Sequence, residues 1–167
     1  MKKLLIPVLI SVVFACQAPP KQRYFTESAE ITTAKNLMND YVAGNFGALA
    51  AYYADTAKIF HNTVDPLGVA DFVKAMKDGL DPVSSYKWED DLYEMVIDSH
   101  EETWVEFWGN WTATLASNGK EIVIPCHVDW RFVDGKIVRE YAYYDNAIFI
   151  AAMGDQEPDG DIVDDEE

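Results

Sequence analysis

The clearest structural signal in this chain is the stretch EIVIPCHVDWRFVDGKIVREYAYY at residues 121–144. Apolar and polar side chains alternate through 121–133 and again through 136–144, which is the period of a half-buried β-strand. Asp134-Gly135 between them is a strong two-residue turn signal. The stretch therefore predicts an antiparallel hairpin near the end of the chain.

The same reasoning extends the sheet upstream and places helices before it. Ser117-Asn118-Gly119 marks another turn, so we expect strands at 86–98 and 103–116. Apolar residues recur at helical spacing earlier in the chain and again after the last strand. The predicted helices are 27–42, 46–54, 69–80 and 146–153, with one further strand at 57–62. Strands grouped after helices indicate an α+β fold, with helices on one face of a curved antiparallel sheet.

Short motifs in this order resemble a known family. They are Asp134-Gly135-Lys136-Ile137, Tyr143-Tyr144-Asp145, and the passage from Tyr53-Ala54-Asp55 to 68–72. Over residues 28–153 the chain resembles the SnoaL-like branch of the nuclear transport factor 2-like superfamily. The resemblance implies a cone-shaped barrel, in which three or four helices pack on a strongly curved antiparallel sheet around an apolar pocket. It also implies a homodimer, and it leaves function open, because members include isomerases, epoxide hydrolases, cyclases and dehydratases.

Family enzymes place carboxylates or histidines in this pocket, and the candidates here are His61, Glu140 and Asp145. A histidine can act as acid or base near neutral pH, and a carboxyl group between apolar walls can do the same. Each candidate also has a structural interpretation. His61 can be an ordinary strand residue, Glu140 can pair with a neighbouring cation at the rim, and Asp145 can cap the last helix. Ala142 stands where limonene-epoxide hydrolases carry a catalytic aspartate, so that reaction is not expected.

The candidate ligand contacts are mostly aromatic side chains, which either stack on a ring-bearing ligand or fill the core. These residues are Phe60, Asn62, Tyr93, Trp111, Trp130 and Tyr144. Strand parity does not decide whether Phe60 and Asn62 or His61 face the pocket. The row His127, Asp129 and Arg131 falls on the opposite face of its strand and is a candidate dimer contact. Neither a metal site nor a cofactor is expected.

The N-terminus predicts export and a lipid anchor. Two lysines precede the apolar stretch 4–14, which is too short to span a bilayer, and Ala15-Cys16 follows. This pattern resembles the lipobox of bacterial lipoproteins, in which the cysteine becomes the lipidated first residue. We therefore predict a signal peptide at 1–15, lipidation of Cys16 and a tether at 16–27. Gln17 favours the outer over the inner membrane of a bacterial cell envelope, and an ordinary secretory signal is the alternative.

Charge and cysteine content restrict the partners. The formal net charge of −16 argues against a nucleic-acid ligand, because phosphate binding needs a basic face. With Cys16 lipidated, Cys126 is left without a disulfide partner and is expected to be a buried thiol. The acidic segment 154–167 is predicted to be a disordered tail. Its oxygen-bearing residues also match an EF-hand spacing in part, so calcium binding stays an alternative.

Three functions agree with these features. The favoured one is a membrane-anchored protein that binds a small apolar or aromatic molecule without an assigned reaction. The first alternative is an acid/base enzyme of the isomerase, dehydratase or polyketide-cyclase type, using His61, Glu140 or Asp145. The second is a homodimeric protein-interaction module.

Overall fold

The computed structural model describes residues 21–154, so the predictions for the signal peptide, Cys16 and the acidic tail lie outside the described residues. The first part of the domain contains two strands, three α-helices and one 3-10 turn. In chain order these are β1 (Tyr24–Phe25), α1 (Ala29–Val42), α2 (Phe46–Leu49), a 3-10 turn (Ala50–Tyr52), β2 (Tyr53–His61) and α3 (Val69–Asp78). The long strands β3 (Val83–Ile97), β4 (Thr103–Leu115), β5 (Glu121–Val133) and β6 (Lys136–Tyr144) follow, and α4 (Asn146–Gly154) closes the domain.

The strands form one curved sheet in the order β1-β3-β4-β5-β6-β2. The predicted α+β class, with four helices and a curved sheet, is confirmed, but the sheet is not closed into a barrel. It is also not fully antiparallel, because β2 runs parallel to β6, with His61 beside Ala142. This parallel pair arises because the chain leaves β2 through α3 and enters the sheet again at β3, several strands away. The crossover brings residues of the first half of the domain beside the last strand.

A bulge in β3 changes which side chains face the helices. The register with β4 shifts between Glu89 and Leu92, and Asp90 adopts a positive φ of 54° at this point. Trp88 before the bulge and Tyr93 after it therefore both face inward, although strict alternation would place them on opposite faces. A change of face within one strand is invisible to a period-2 analysis.

Helix α1 shows why this segment is helical and what it buries. The Ser28 side chain accepts a hydrogen bond of 3.0 Å from the backbone N–H of Ile31, an N-cap that contributes about 1 kcal/mol. The helix buries Ile31, Ala34, Leu37 and Met38 at helical spacing. This stripe packs on the inner face of the sheet and forms one wall of the core.

Three boundaries differ from the predictions. The expected helix 46–54 ends early, and β2 begins at Tyr53 rather than at residue 57. Residues 24–25 pair with β3 as strand β1. This part of the predicted tether is therefore not a plain spacer but belongs to the sheet. The backbone hydrogen bonds of β1 depend on a partner far away in sequence, so no local pattern indicates it. Within 21–154, each helix falls short of the length and apolar character that crossing a bilayer requires.

Candidate functional site

A mostly apolar cavity of about 430 Å³ lies between the inner face of the sheet and the helices α1, α3 and α4. Its walls include Leu37, Met38, Phe72, Trp88, Trp111 and Phe149. One basic and one acidic side chain, His61 and Glu140, also line it. The phenols of Tyr41, Tyr53 and Tyr144 are part of the same lining. Among the residues that the structure describes, the lining contains no lysine or arginine. The cavity therefore suits a small apolar molecule and presents to it one acid/base pair.

Glu140 is the most buried charged residue of the cavity, with 3% of its surface exposed. Its Oε1 lies 2.6 Å from Nε2 of His61, and its Oε2 accepts a hydrogen bond of 2.8 Å from the indole N–H of Trp130. The hydroxyl of Tyr53 donates a second hydrogen bond to Oε2. Both carboxylate oxygens are thus engaged by side chains from β2 and β5, the two neighbours of β6.

These contacts decide which nitrogen of His61 carries the proton. The indole of Trp130 can only donate, and a carboxylate can only accept, so we assign Glu140 as the ionised acceptor of three donors. His61 then donates from Nε2, and in the neutral imidazole Nδ1 keeps its lone pair. Nδ1 is buried and has no hydrogen-bond partner among residues 21–154. A buried polar atom without a partner is uncommon, and a catalytic or ligand-binding role is one explanation for it.

Aromatic rings fix the orientation of the imidazole. The rings of Phe72 and Tyr144 contact it edge to face, with centroids at 5.2 and 6.0 Å. Burial raises the pKa of Tyr53 well above its usual value, and the neighbouring Glu140 raises it further, so Tyr53 stays a hydrogen-bond donor. The imidazole is therefore held on one side by its hydrogen bond with Glu140, and the rings of Phe72 and Tyr144 pack against it.

Cys126 also lines the cavity, but its chemistry is that of a structural thiol. Burial raises the pKa of Cys126 to about 12, so the thiolate is a minor species at neutral pH. Its Sγ lies 3.5 Å from the carbonyl oxygen of Ile124. This environment agrees with the predicted buried thiol rather than with a nucleophile.

Asp145, the remaining catalytic candidate, lies outside the cavity lining. It is exposed, and its Oδ1 accepts a hydrogen bond of 2.9 Å from the backbone N–H of Ala147 at the start of α4. This is the helix-capping role that the sequence left open. The three catalytic candidates therefore separate into a joined pair, His61 and Glu140, and a distant cap.

The predicted ligand contacts also separate. Trp111, Trp130 and Tyr144 line the cavity. Phe60 faces the other side of the sheet, where its ring stacks on Tyr141 with centroids 4.9 Å apart. The expectation that Phe60 contacts a ligand is corrected by this position, which follows from the alternation that turns His61 inward.

Asn62 and Tyr93 are likewise not in the cavity lining. The side chain of Asn62 donates to the carbonyl oxygen of Tyr144 at 2.7 Å and accepts from its backbone N–H at 3.2 Å, so it joins the ends of β2 and β6. Tyr93 packs against Phe107 in the core, with ring centroids 4.9 Å apart. Both residues hold the fold, which corrects their predicted role as ligand contacts.

Tyr53 is the residue of the site that the sequence did not indicate. Tyr53 is buried at the first position of β2 and reaches Glu140 from the same face as His61, although the register with β6 shifts between Tyr53 and Lys58. The sequence predicts a strand start at residue 57 and places Tyr53 in a helix. Pairing with the distant strand β6 sets the start of β2, so local pattern does not indicate Tyr53.

The outer face of the sheet carries the row His127, Asp129 and Arg131. His127 and Asp129 form an ion pair at 2.9 Å, and Arg131 pairs with Glu102 at 2.7 Å. Asp129 also stands opposite Glu106 across β4 and β5. Burial and the Asp129 charge raise the pKa of Glu106, and burial raises the pKa of Asp129. Across 21–154, no grouping of three or more histidine, cysteine or acidic residues is placed to hold a metal ion.

Comparison with known proteins adds the family. The profile of the SnoaL-like domain matches residues 34–140. The chain is similar to an NTF2-like protein of unknown function from Burkholderia pseudomallei K96243, with 18% identity, a TM-score of 0.60, and coverage of 75% of this chain and 97% of that one.

It is also similar to a SnoaL-like polyketide cyclase from Agrobacterium tumefaciens C58, with 16% identity, a TM-score of 0.58, and coverage of 77% and 100%. At these identities the two structures establish a common fold, and no curated protein matches significantly. Since the profile covers more than half of the sequence and the fold agrees with it, the chain belongs to the SnoaL-like domain family.

Proposed function

We propose that this protein is an acid/base enzyme that moves a proton on a small, mostly apolar substrate, with His61 as the base and Glu140 as its positioning residue. The observation that supports the proposal is the 2.6 Å contact of Nε2 with a buried, fully engaged carboxylate inside an apolar cavity. A histidine whose second nitrogen is oriented by a carboxylate is a recurrent arrangement for general-base catalysis.

In this proposal Nδ1 of His61 accepts a proton from a carbon next to a substrate carbonyl. The imidazolium that forms is stabilised by the carboxylate of Glu140, while the electron pair moves onto the carbonyl oxygen as an enolate. Returning the proton to a different carbon gives isomerisation, and loss of a leaving group gives dehydration. The SnoaL-like polyketide cyclase from Agrobacterium tumefaciens shares the fold and makes carbon acids a reasonable substrate class.

Ligand binding without turnover uses the same cavity and differs only in the role of His61. The buried Nδ1 without a partner favours the enzyme, because a pure binding pocket does not need an isolated basic atom in its wall. In a binding protein, His61 and Glu140 would instead only fix the orientation of a bound molecule.

Deuterium exchange tests the proposal. We expect the purified protein to accelerate exchange of the α-protons of 2-tetralone, a bicyclic ketone, in D₂O above the buffer rate, followed by mass spectrometry. His61→Gln should return the rate to the buffer value. His100→Gln is the matched control, because the side chain of His100 is 82% exposed and makes no contact with the cavity. Saturable binding of the ketone without any exchange would indicate a binding protein.

We further propose that Cys16 carries a lipid and anchors the domain to the cell envelope. The support is the order of charged residues, apolar stretch and cysteine at the N-terminus. Cells grown with an alkyne-labelled fatty acid should label the full chain and Cys126→Ser but not Cys16→Ser. Label on all three proteins, or on none, would contradict the proposal.

We also propose a homodimer that forms through the outer face of the sheet. The support is the family fold together with the half-buried row His127, Asp129 and Arg131. Sedimentation velocity at about 50 µM should show a dimer, which Arg131→Glu weakens and Lys77→Glu on the exposed face of α3 leaves intact. A monomer alone at this concentration would argue against it.

A further inference from the structure

Two indole N–H groups in the cavity wall lack a suitable partner. Nε1 of Trp88 and Nε1 of Trp111 are buried, and within 21–154 neither makes a hydrogen bond of normal geometry. An indole N–H can only donate, so a buried one without an acceptor costs free energy in the empty protein. Trp130, in contrast, donates its N–H to Glu140. The two free donors therefore call for an acceptor that the described residues do not supply.

The sheet register brings the two tryptophans together. Trp88 and Trp111 stand directly opposite each other on β3 and β4, on the inner face. Both line the cavity that contains His61, and strands β5 and β6 lie between them and β2. Trp111 packs against Phe149 of α4, with ring centroids 6.1 Å apart. The indole pair, as we call Trp88 and Trp111, thus lies in a different part of the cavity wall from the His61–Glu140 pair.

Among residues 21–154, the phenol of Tyr41 is a candidate acceptor near the indole pair, but it does not satisfy either indole. Tyr41 lies nearby, with its ring centroid 6.4 Å from that of Trp88. Burial raises the pKa of Tyr41, and a weak contact of the Trp111 indole N–H with its hydroxyl, outside normal hydrogen-bond geometry, acts against this rise. The phenol therefore stays protonated and is itself able to donate. This part of the cavity therefore presents donors to a ligand.

We propose that the indole pair binds an uncharged acceptor oxygen of the substrate, such as a carbonyl or ether oxygen, away from the reacting carbon. The inference rests on the proposed function for the cavity but concerns substrate class. Within residues 21–154 the lining has no lysine or arginine, and it includes the Glu140 carboxylate, so an anionic ligand is disfavoured. The substrate is then an elongated, mostly apolar molecule with one acceptor near the indole pair and an acidic C–H near His61.

Binding of two molecules of nearly equal shape tests this. The probes are 2-acetylnaphthalene, which carries a carbonyl oxygen, and 2-isopropylnaphthalene, which does not, and equilibrium dialysis measures both affinities. We expect the ketone to bind about tenfold more tightly than the hydrocarbon. Trp111→Phe and Trp88→Phe keep an aromatic ring and remove the donor, so together they should abolish this ratio while the hydrocarbon still binds.

Trp108→Phe is the matched control, because Trp108 is exposed on the outer face, where it packs on His127 with centroids 4.8 Å apart. It should leave the ratio unchanged. Equal binding of the two probes to the unmodified protein, no binding of either, or an unchanged ratio in the double variant overturns the proposal. His61→Gln separates the two inferences. This variant should lose proton exchange and keep the ratio. In the unmodified protein, a ratio without proton exchange would refute only the enzyme, and exchange without a ratio would refute only the role of the indole pair.

Discussion

Glu140 and His61 approach to 2.6 Å across the parallel β2–β6 pair, although 79 residues separate them in the chain. Only 3% of the surface of Glu140 is exposed, and three donors from the two neighbouring strands β2 and β5 converge on its carboxylate. A buried charge is tolerated only when hydrogen bonds replace its water shell. The site therefore depends on the complete set of contacts and not on the glutamate alone.

Glu140→Gln should lower the free energy of unfolding by about 2–4 kcal/mol, because the amide nitrogen must face a donor and leave it unpaired. Urea denaturation followed by circular dichroism measures the change. Glu121→Gln, at the exposed start of β5, should change the stability by less than about 0.5 kcal/mol. Equal stability of the two variants would mean that the contacts of Glu140 contribute nothing to folding.

Tyr53→Phe keeps the buried ring and removes the hydroxyl that donates to Glu140. We expect a loss of about 1–2 kcal/mol in the free energy of unfolding, since the acceptor is a charged group in the interior. The comparison variant is Tyr52→Phe, whose hydroxyl donates to Asp40 at the protein surface. Solvent can replace that bond, so its loss should be clearly smaller, and the reverse order would contradict our assignment of the buried acceptor.

The raised pKa of Glu106 predicts that its contribution to stability decreases as the pH rises. Burial and the facing Asp129 raise the pKa of Glu106 above 4.5, so the native state holds this proton more tightly than the unfolded chain does. By linkage, the contribution of Glu106 falls as pH rises from about 4.5 through the raised value.

Glu106→Gln should therefore raise the midpoint of thermal unfolding at pH 7 and flatten the decline in that pH range. The gain is a few tenths of a kcal/mol, because solvent screens the two carboxylates in part. Calorimetry at several pH values measures it, with Glu121→Gln as the control. A gain that grows toward pH 4 would have the wrong sign for our explanation.

Gly109 is required by the packing of one ring. A Cβ at this position would lie 2.5 Å from Cζ of Phe107, whose side chain is fully buried. Gly109→Ala should cost about 1–3 kcal/mol through overpacking. Gly47→Ala has open space around the new methyl group and lies in a helix, so it should be neutral or slightly stabilising. Thermal unfolding of both variants measures the change in stability. A similar loss of stability in the two variants would exclude the contact with the Phe107 ring as the cause.

Local sequence pattern predicts most of the strands and several residues of the cavity lining. Alternation through 121–133 places Val128 and Trp130 on the face opposite His127, Asp129 and Arg131, and both residues are buried there. Alternation in β4 likewise puts Phe107 and Trp111 on one face, and Phe107 is buried while Trp111 lines the cavity. The turn at Asp134-Gly135 fixed the direction of β6, because both residues adopt the positive φ that this kind of turn requires. Local pattern did not predict the length of β2 or the bulge in β3, because both depend on pairing with distant strands.

The sequence alone determined most of the secondary structure, the fold class and a short set of candidate acid/base residues, because hydrophobic periodicity and turn chemistry are local properties. It did not show whether His61 or its neighbours face the cavity, or whether Glu140 lies in the pocket or at its rim. The tertiary structure made those choices. The crossover after β2 sets that strand beside β6, so His61, Tyr53 and Trp130 all reach one carboxylate, while Asp145 is left to cap α4. Contacts between strands far apart in the chain have no local signature, which is why only the folded molecule shows the site.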